Sequence, residues 1–136
     1  MVEIKPPSKF IKVYKKSEII FKENSVGDDM YIICSGKVKL TTRNKERELL
    51  LDMLGPREFF GEMALVDASP RSATAIAEED DTQLVVLNQA RFLYLVSQQP
   101  PFALYIMEGL CKRLKERWTQ YSKLLEKAPD KDSFPD

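Results

Sequence analysis

Hydrophobic and polar residues alternate in short runs through the first two thirds of the chain, then recur at helical spacing through the last third. Phe10 to Tyr14 and Glu18 to Phe21 are rich in β-branched and aromatic residues, and each predicts a strand. The cluster Glu23-Asn24-Ser25-Val26-Gly27-Asp28-Asp29 predicts a turn. Met30 to Cys34 is apolar throughout and is closed by Ser35-Gly36. Val38, Leu40 and Thr42 then alternate with Lys37, Lys39, Thr41 and Arg43, the period-two pattern of a half-buried strand. After the polar turn Asn44-Lys45-Glu46, Glu48 to Met53 predicts another strand, stopped at Gly55-Pro56. Ser72 to Ala77 and Gln83 to Leu87 add two more, separated by the acidic turn Glu78-Glu79-Asp80-Asp81. Many short strands at this spacing predict a mainly β fold with C-terminal helices, an antiparallel jelly-roll β-barrel.

Asn88 is placed to cap a helix over Gln89 to Gln98, and Pro100-Pro101 ends it. From Phe102 to Lys127 there is no proline, which predicts one long helix of about 39 Å at about 1.5 Å per residue. Met107, Leu110, Leu114, Tyr121 and Leu124 form its apolar stripe, with Cys111, Trp118 and Leu125 beside it. A helix longer than a small barrel is tall expects a partner for part of that stripe. Met107, Leu114 and Tyr121 lie seven apart, which points to a homodimer seam, and Arg117 interrupts the parallel series Leu110 and Leu124. Residues 10–127 read as one domain, and Ala128 to Asp136, with two prolines and alternating charge, as a disordered tail.

Composition narrows the chemistry. The 136 residues hold 21 Lys+Arg and 21 Asp+Glu, so no overall basic field draws nucleic acid. There is no histidine, which removes histidine-based triads, zinc sites and acid–base catalysis. Cys34 and Cys111 read as buried free thiols, one in an apolar strand and one on a helical stripe. No apolar run is long enough to span a membrane, and the N-terminus lacks a signal-like core, so the expected location is the cytoplasm. The basic residues Lys112, Arg113, Lys115, Arg117, Lys123 and Lys127 are interspersed with glutamates and read as a solvated helix face.

The segment Phe59 to Ala75 resembles neither a strand nor a long helix. Gly61 allows close backbone approach to a ligand. Glu62 offers a carboxylate that accepts from sugar hydroxyls. Met63 to Val66 is long enough for a helical turn with unpaired N–H groups. Arg71 supplies a planar fork matched to two phosphate oxygens, and Ser72 adds a hydroxyl. Such a set could hold a ligand with a hydroxyl at one end and an anion at the other.

Phe60-Gly61-Glu62-Met63-Ala64-Leu65, a short loop, and Pro70-Arg71-Ser72-Ala73-Thr74 resemble the phosphate-binding cassette of the cyclic nucleotide-binding domain family. Glu18-Ile19-Ile20-Phe21, Gly27-Asp28-Asp29-Met30-Tyr31-Ile32-Ile33 and Ser35-Gly36-Lys37-Val38 are similar to the strand and glycine-turn pattern that opens that domain. The resemblance implies that Glu62 takes the ribose 2′-OH, with Gly61 beneath the ribose, and that Met63 is among the ligand-binding residues. It implies that Arg71 pairs with the cyclic phosphate, helped by Ser72 and the backbone N–H groups of Ala64 and Ala73. Leu40 and Leu51 fall where the family has apolar walls, and Arg117 and Trp118 near the region that reaches the purine. Threonine after the cassette arginine goes with cGMP in the family and alanine with cAMP, and Ser72 lies between them.

Two features depart from the family. It has Gly-Asp or Gly-Glu just before the cassette, where this chain has Arg57-Glu58. Larger regulators of this kind continue into a helix-turn-helix, and this chain reaches Asp136 without one. The resulting expectation is a cofactor-free, non-enzymatic sensor of cAMP or cGMP that moves its C-terminal helix and acts through a downstream protein, with no DNA-binding domain. The rivals are a scaffold of the same fold that binds no nucleotide, a nucleotide-cleaving enzyme, and, for Glu62 and Arg71, a purely structural ion pair.

Overall fold

The computed structural model describes residues 7–127. The predicted disordered tail lies outside that range. After a single 3-10 turn at Ser8–Phe10, the chain forms β1 (Ile11–Tyr14), β2 (Ile19–Phe21), β3 (Met30–Ser35), β4 (Val38–Asn44), β5 (Arg47–Leu54) and β6 (Phe59–Phe60). The short helix α1 (Glu62–Asp67) follows, then β7 (Thr74–Ala77), β8 (Thr82–Leu87), α2 (Gln89–Gln98) and α3 (Pro101–Glu126). The strands pair antiparallel in two four-stranded sheets, ordered β1-β8-β3-β6 and β2-β7-β4-β5. No ladder joins the sheets among the described strands, so the jelly roll is a two-sheet sandwich rather than the closed barrel expected.

The uniform apolarity of β3 follows from its position. Tyr31 and Ile33 face the other sheet, packed with Tyr14, Val38, Leu54, Phe60, Ala75, Ala77 and Leu84. Met30 and Ile32 face the opposite way, packed with Phe59, Leu87, Leu95, Phe102 and Ile106 under the helices. A strand buried on both faces cannot alternate hydrophobic with polar. The two-residue β6 is divided in the same manner, Phe59 into the helix layer and Phe60 between the sheets. It pairs with β3 through Tyr31 and Ile32 and leads directly into α1.

The structure corrects two burial expectations, at Cys34 and Cys111. Cys34 is exposed because the β3–β8 register shifts between Ile33 and Ser35, and a bulge turns the residue off the buried face. The β4–β5 register shifts in the same way between Leu40 and Thr41, skipping Leu51, which is 55% exposed. β5 is an edge strand whose only buried residue is Leu54. Cys111 is exposed because it lies on the side of α3 away from the packed face that carries Phe102, Ile106, Gly109 and Arg113. Phe102 and Ile106 are buried, whereas every residue from Leu114 to Lys127 is exposed. The helix expected over Phe102 to Lys127 runs over Pro101–Glu126, with Pro101 at its first position, where a missing N–H costs nothing.

The turn before β6 shows how Arg57-Glu58 replaces the family's glycine pair. Arg57 takes a left-handed φ of 75°, the region glycine prefers. The turn closes with Glu58 N–H donating to the Gly55 carbonyl at 3.1 Å, and Gly55 N–H donating to Glu58 Oε1 at 3.1 Å.

Asn88 caps α2 as predicted, its Oδ1 accepting from Arg91 N–H at 2.9 Å. Replacing it with Ala should cost about 1 kcal/mol in urea denaturation, and Asn88→Asp should retain nearly all the stability.

Candidate nucleotide-binding site

The backbone around Arg71 is fixed from both sides. Its N–H donates to the Ser25 carbonyl at 2.9 Å, and its carbonyl accepts from Asn24 N–H at 2.7 Å. These bonds tie the β2–β3 loop to the start of the β7 segment and direct the Arg71 side chain inward. The residue is 5% exposed. Its guanidinium lies 4.2 Å from the Phe21 ring centroid and 5.8 Å from that of Tyr31. Nη1 donates to the Gly61 carbonyl at 3.2 Å.

Two glycines make room for this fork. A Cβ on Gly27 would lie 2.7 Å from Arg71 Nη2, and one on Gly61 would lie 2.8 Å from Nη1. Gly61 also has a left-handed φ of 81°, turning the chain from β6 into α1. Among the described residues no carboxylate lies within ion-pairing distance of Arg71. Asp29 is nearby, but burial, reinforced by the Asp28 charge, holds its carboxyl above the usual carboxylate range against the opposing pull of Arg71 and Arg91. Burial pushes the Tyr31 phenol up to about 12, so it remains neutral. A buried guanidinium is expected to have an anion beside it, and this one has rings and a single carbonyl.

Glu62 opens α1, and its partner is Arg113 of α3. Arg113 Nη1 lies 2.5 Å from Glu62 Oε1, Nη2 donates to the Phe59 carbonyl, and the guanidinium sits 4.5 Å from the Phe59 ring centroid. A Glu62–Arg71 ion pair is therefore absent. Arg113 was expected on a solvated face and is instead half-buried. The signal for it was present in the helical period, because Tyr105, Gly109 and Arg113 lie four apart on one face. Tyr105 Oη donates to the Arg57 carbonyl from that same face.

The other candidate residues are distributed around this centre. Ala64 and Ala73 are buried, whereas Met63, on the outer face of α1, and Ser72 are exposed. The loop after α1 is fixed by Ala68 N–H on the Ala64 carbonyl at 3.1 Å and Ser69 N–H on Asp67 Oδ1 at 3.0 Å. The Ser69 hydrogen bonds lower the Asp67 carboxyl. Leu40 is half-buried on β4 beside the inter-sheet core, and Leu51 is exposed on β5. Arg117 and Trp118 are exposed on the projecting half of α3, Trp118 at 68%.

Residues 11–99 match the cyclic nucleotide-binding domain family. The chain belongs to that family. The cyclic AMP receptor protein of Thermus thermophilus is 39% identical over 106 residues, covering 77% of this chain and 49% of that protein. Human cGMP-dependent protein kinase 2 is 36% identical over 84 residues, covering 60% of this chain and 11% of the kinase. The crystal structure of the Thermus thermophilus catabolite activator protein superposes with a TM-score of 0.73 at 36% identity, covering 84% of this chain and 54% of that one. The chain thus spans about half the length of the Thermus receptor. The cAMP-bound form of the EAL enzyme Bd1971 superposes with a TM-score of 0.58 at 36% identity, covering 82% of this chain and 30% of that one. No helix among the described residues is long and apolar enough to cross a membrane.

The Glu62–Arg113 pair is partly solvated, with side chains 18% and 29% exposed, so it should contribute only about 1 kcal/mol or less. A double-mutant cycle with Glu62→Gln and Arg113→Met should read a coupling of that size in urea denaturation. Glu62→Gln should cost almost nothing once Arg113→Met has been made, whereas Arg113→Met still loses its contacts with Phe59.

Proposed function

We propose that this chain is a sensor that binds a cyclic nucleotide, cAMP or cGMP, and responds by changing the placement of α3. The observation that carries the reading is the buried Arg71 guanidinium, which has no carboxylate partner and is wedged between two glycines. A cyclic phosphate carries one negative charge on oxygens that suit a planar fork. Ser72 and the N–H groups of Ala64 and Ala73 complete the phosphate end. Glu62 accepts from the ribose 2′-OH, with Gly61 and Met63 along the sugar. Leu40 and Leu51 flank the ribose and base, and Arg117 and Trp118 approach the base when α3 closes over it. The named cAMP-bound neighbour and the cGMP-dependent kinase support the ligand class. Ser72 supports neither nucleotide over the other.

In this reading no bond of the nucleotide is broken, no cofactor takes part, and the chain works as a cytoplasmic regulatory module. The nucleotide shifts the α3 equilibrium by no more than its differential affinity for the two placements. The output is a downstream protein or an attached segment that reads α3.

Calorimetric titration with cAMP and cGMP tests the assignment. Arg71→Leu should weaken binding by roughly 30- to several-thousand-fold, the equivalent of about 2–5 kcal/mol for a desolvated charge left unpaired. Arg71→Lys should also bind much more weakly, because a point charge does not replace a fork. Affinity unchanged in either variant, or no binding by the parent chain, would overturn the reading in favour of a nucleotide-free scaffold.

The exposed stripe of α3 is the proposed seam for a second copy. Leu104, Met107, Cys111, Leu114, Trp118, Tyr121 and Leu125 alternate at spacings of three and four, and all are exposed. That series is apolar throughout and leaves Arg117 at its margin. Sedimentation at tens of micromolar should give a dimer, and Leu114→Glu should give a folded monomer.

A further inference from the structure

Gly109 is half-buried on α3, at the point where the helix crosses β6. A Cβ added there would lie 2.4 Å from Phe59 Cε2 and 2.7 Å from Cζ. Neither is a separation that real atoms adopt, so either the ring or the helix would have to move. The Phe59 ring has no room to yield. It is 2% exposed, meets the Tyr105 ring edge-on at 6.0 Å, and carries the Arg113 guanidinium at 4.5 Å. Movement therefore falls on α3, which past Gly109 is held only through Arg113 among the described residues and is exposed from Leu114 onward.

The three residues of this helix face grip three successive parts of the chain that lead into the cassette. Tyr105 holds the Arg57 carbonyl, Gly109 rests on the Phe59 ring, and Arg113 holds the Phe59 carbonyl and Glu62. Arg113 acts over a hydrogen-bond distance, so a helix displaced by a methyl group loses its grip on Glu62. A carboxylate accepts from several donors at once, so Arg113 on Oε1 leaves capacity for a hydroxyl.

We propose that Gly109 is a positioning residue whose missing side chain sets the distance between α3 and β6, and through it the hold of Arg113 on Glu62. The effect on nucleotide affinity rests on the reading of Glu62 given above, whereas the effect on helix distance does not. Gly109 touches no ligand in this scheme. It acts by fixing where the α3 rod lies.

The native cysteines provide the probe. Cys34 on β3 and Cys111 on α3 are the only two in the chain, and both are free and exposed. Spin labels on this pair, in the Leu114→Glu background that keeps the face around Cys111 free of a second copy, report the helix-to-sheet distance by pulsed electron paramagnetic resonance. Without nucleotide, Gly109→Ala should lengthen and broaden that distance, and Gly109→Val should lengthen it further. Phe59→Leu combined with Gly109→Ala should bring it back. Alanine favours helix over glycine, so far-ultraviolet circular dichroism should show α3 intact. In a second arm, Gly109→Ala should weaken cAMP binding about tenfold, within the range usual for coupled sites, and the double variant should recover it. A distance unchanged in both Gly109 variants, or one that Phe59→Leu fails to shorten, overturns the proposal. If the distances respond as expected while the parent chain binds no cAMP, the positioning role is supported and only the nucleotide reading falls.

Discussion

The structure around the cassette depends on keeping one guanidinium out of water. Burying Arg71 requires backbone without side chains on two sides, which Gly27 and Gly61 provide from different loops. It requires a ring beneath, which Phe21 provides from β2. It also requires the β2–β3 loop and the β7 segment to lie side by side, which the two backbone hydrogen bonds of Arg71 enforce. Several parts of the chain, distant in sequence, are thus placed by the demands of one charge. A buried charge of this kind is costly in isolation, so these arrangements make sense as preparation for an anion rather than as a source of stability.

β6 connects this charge to the rest of the molecule. Its two phenylalanines face opposite layers, so any displacement of β6 is felt both between the sheets and under the helices. Phe60 stacks on Tyr31 at 5.1 Å, and Tyr31 lies near the Arg71 guanidinium. Phe59 supports α3 and lies beside Arg113. A well-packed core responds to displacement by switching between arrangements rather than by stretching, which suits a strand placed between the proposed ligand site and α3.

Much of this was legible in the sequence because its chemistry is local. The turn glycine, the carboxylate, the short helix and the arginine all fall within the segment Gly61 to Arg71, so the set could be read off before the rest of the fold was known. The caps and breaks of α2 were readable for the same reason. The burial error at Cys34 has a non-local cause. There a bulge inserts one residue, the alternation reverses, and a side chain counted as inward turns outward. Arg113 was missed because its partner lies 51 residues away. Its sequence neighbours are mixed charges, and nothing local distinguishes it from Lys112 or Lys115. Only the helical period, which places Tyr105 and Gly109 on the same face, set it apart.

The exposed half of α3 also has a mechanical consequence. Beyond Arg113 the helix is a stiff rod about 20 Å long at about 1.5 Å per residue, clamped at one end and exposed along the rest of its described length. A tilt of about 10° at the clamp carries the far tip through about 3.5 Å, well over half of the roughly 5.4 Å rise of one helical turn. Displacements of a few tenths of an ångström at Phe59 thus reach the tip multiplied several-fold, without any change in the sheets. The gain is set by the number of residues between Arg113 and Glu126, so helix length is a quantity that can scale the motion of the tip while leaving the segment around Arg71 untouched.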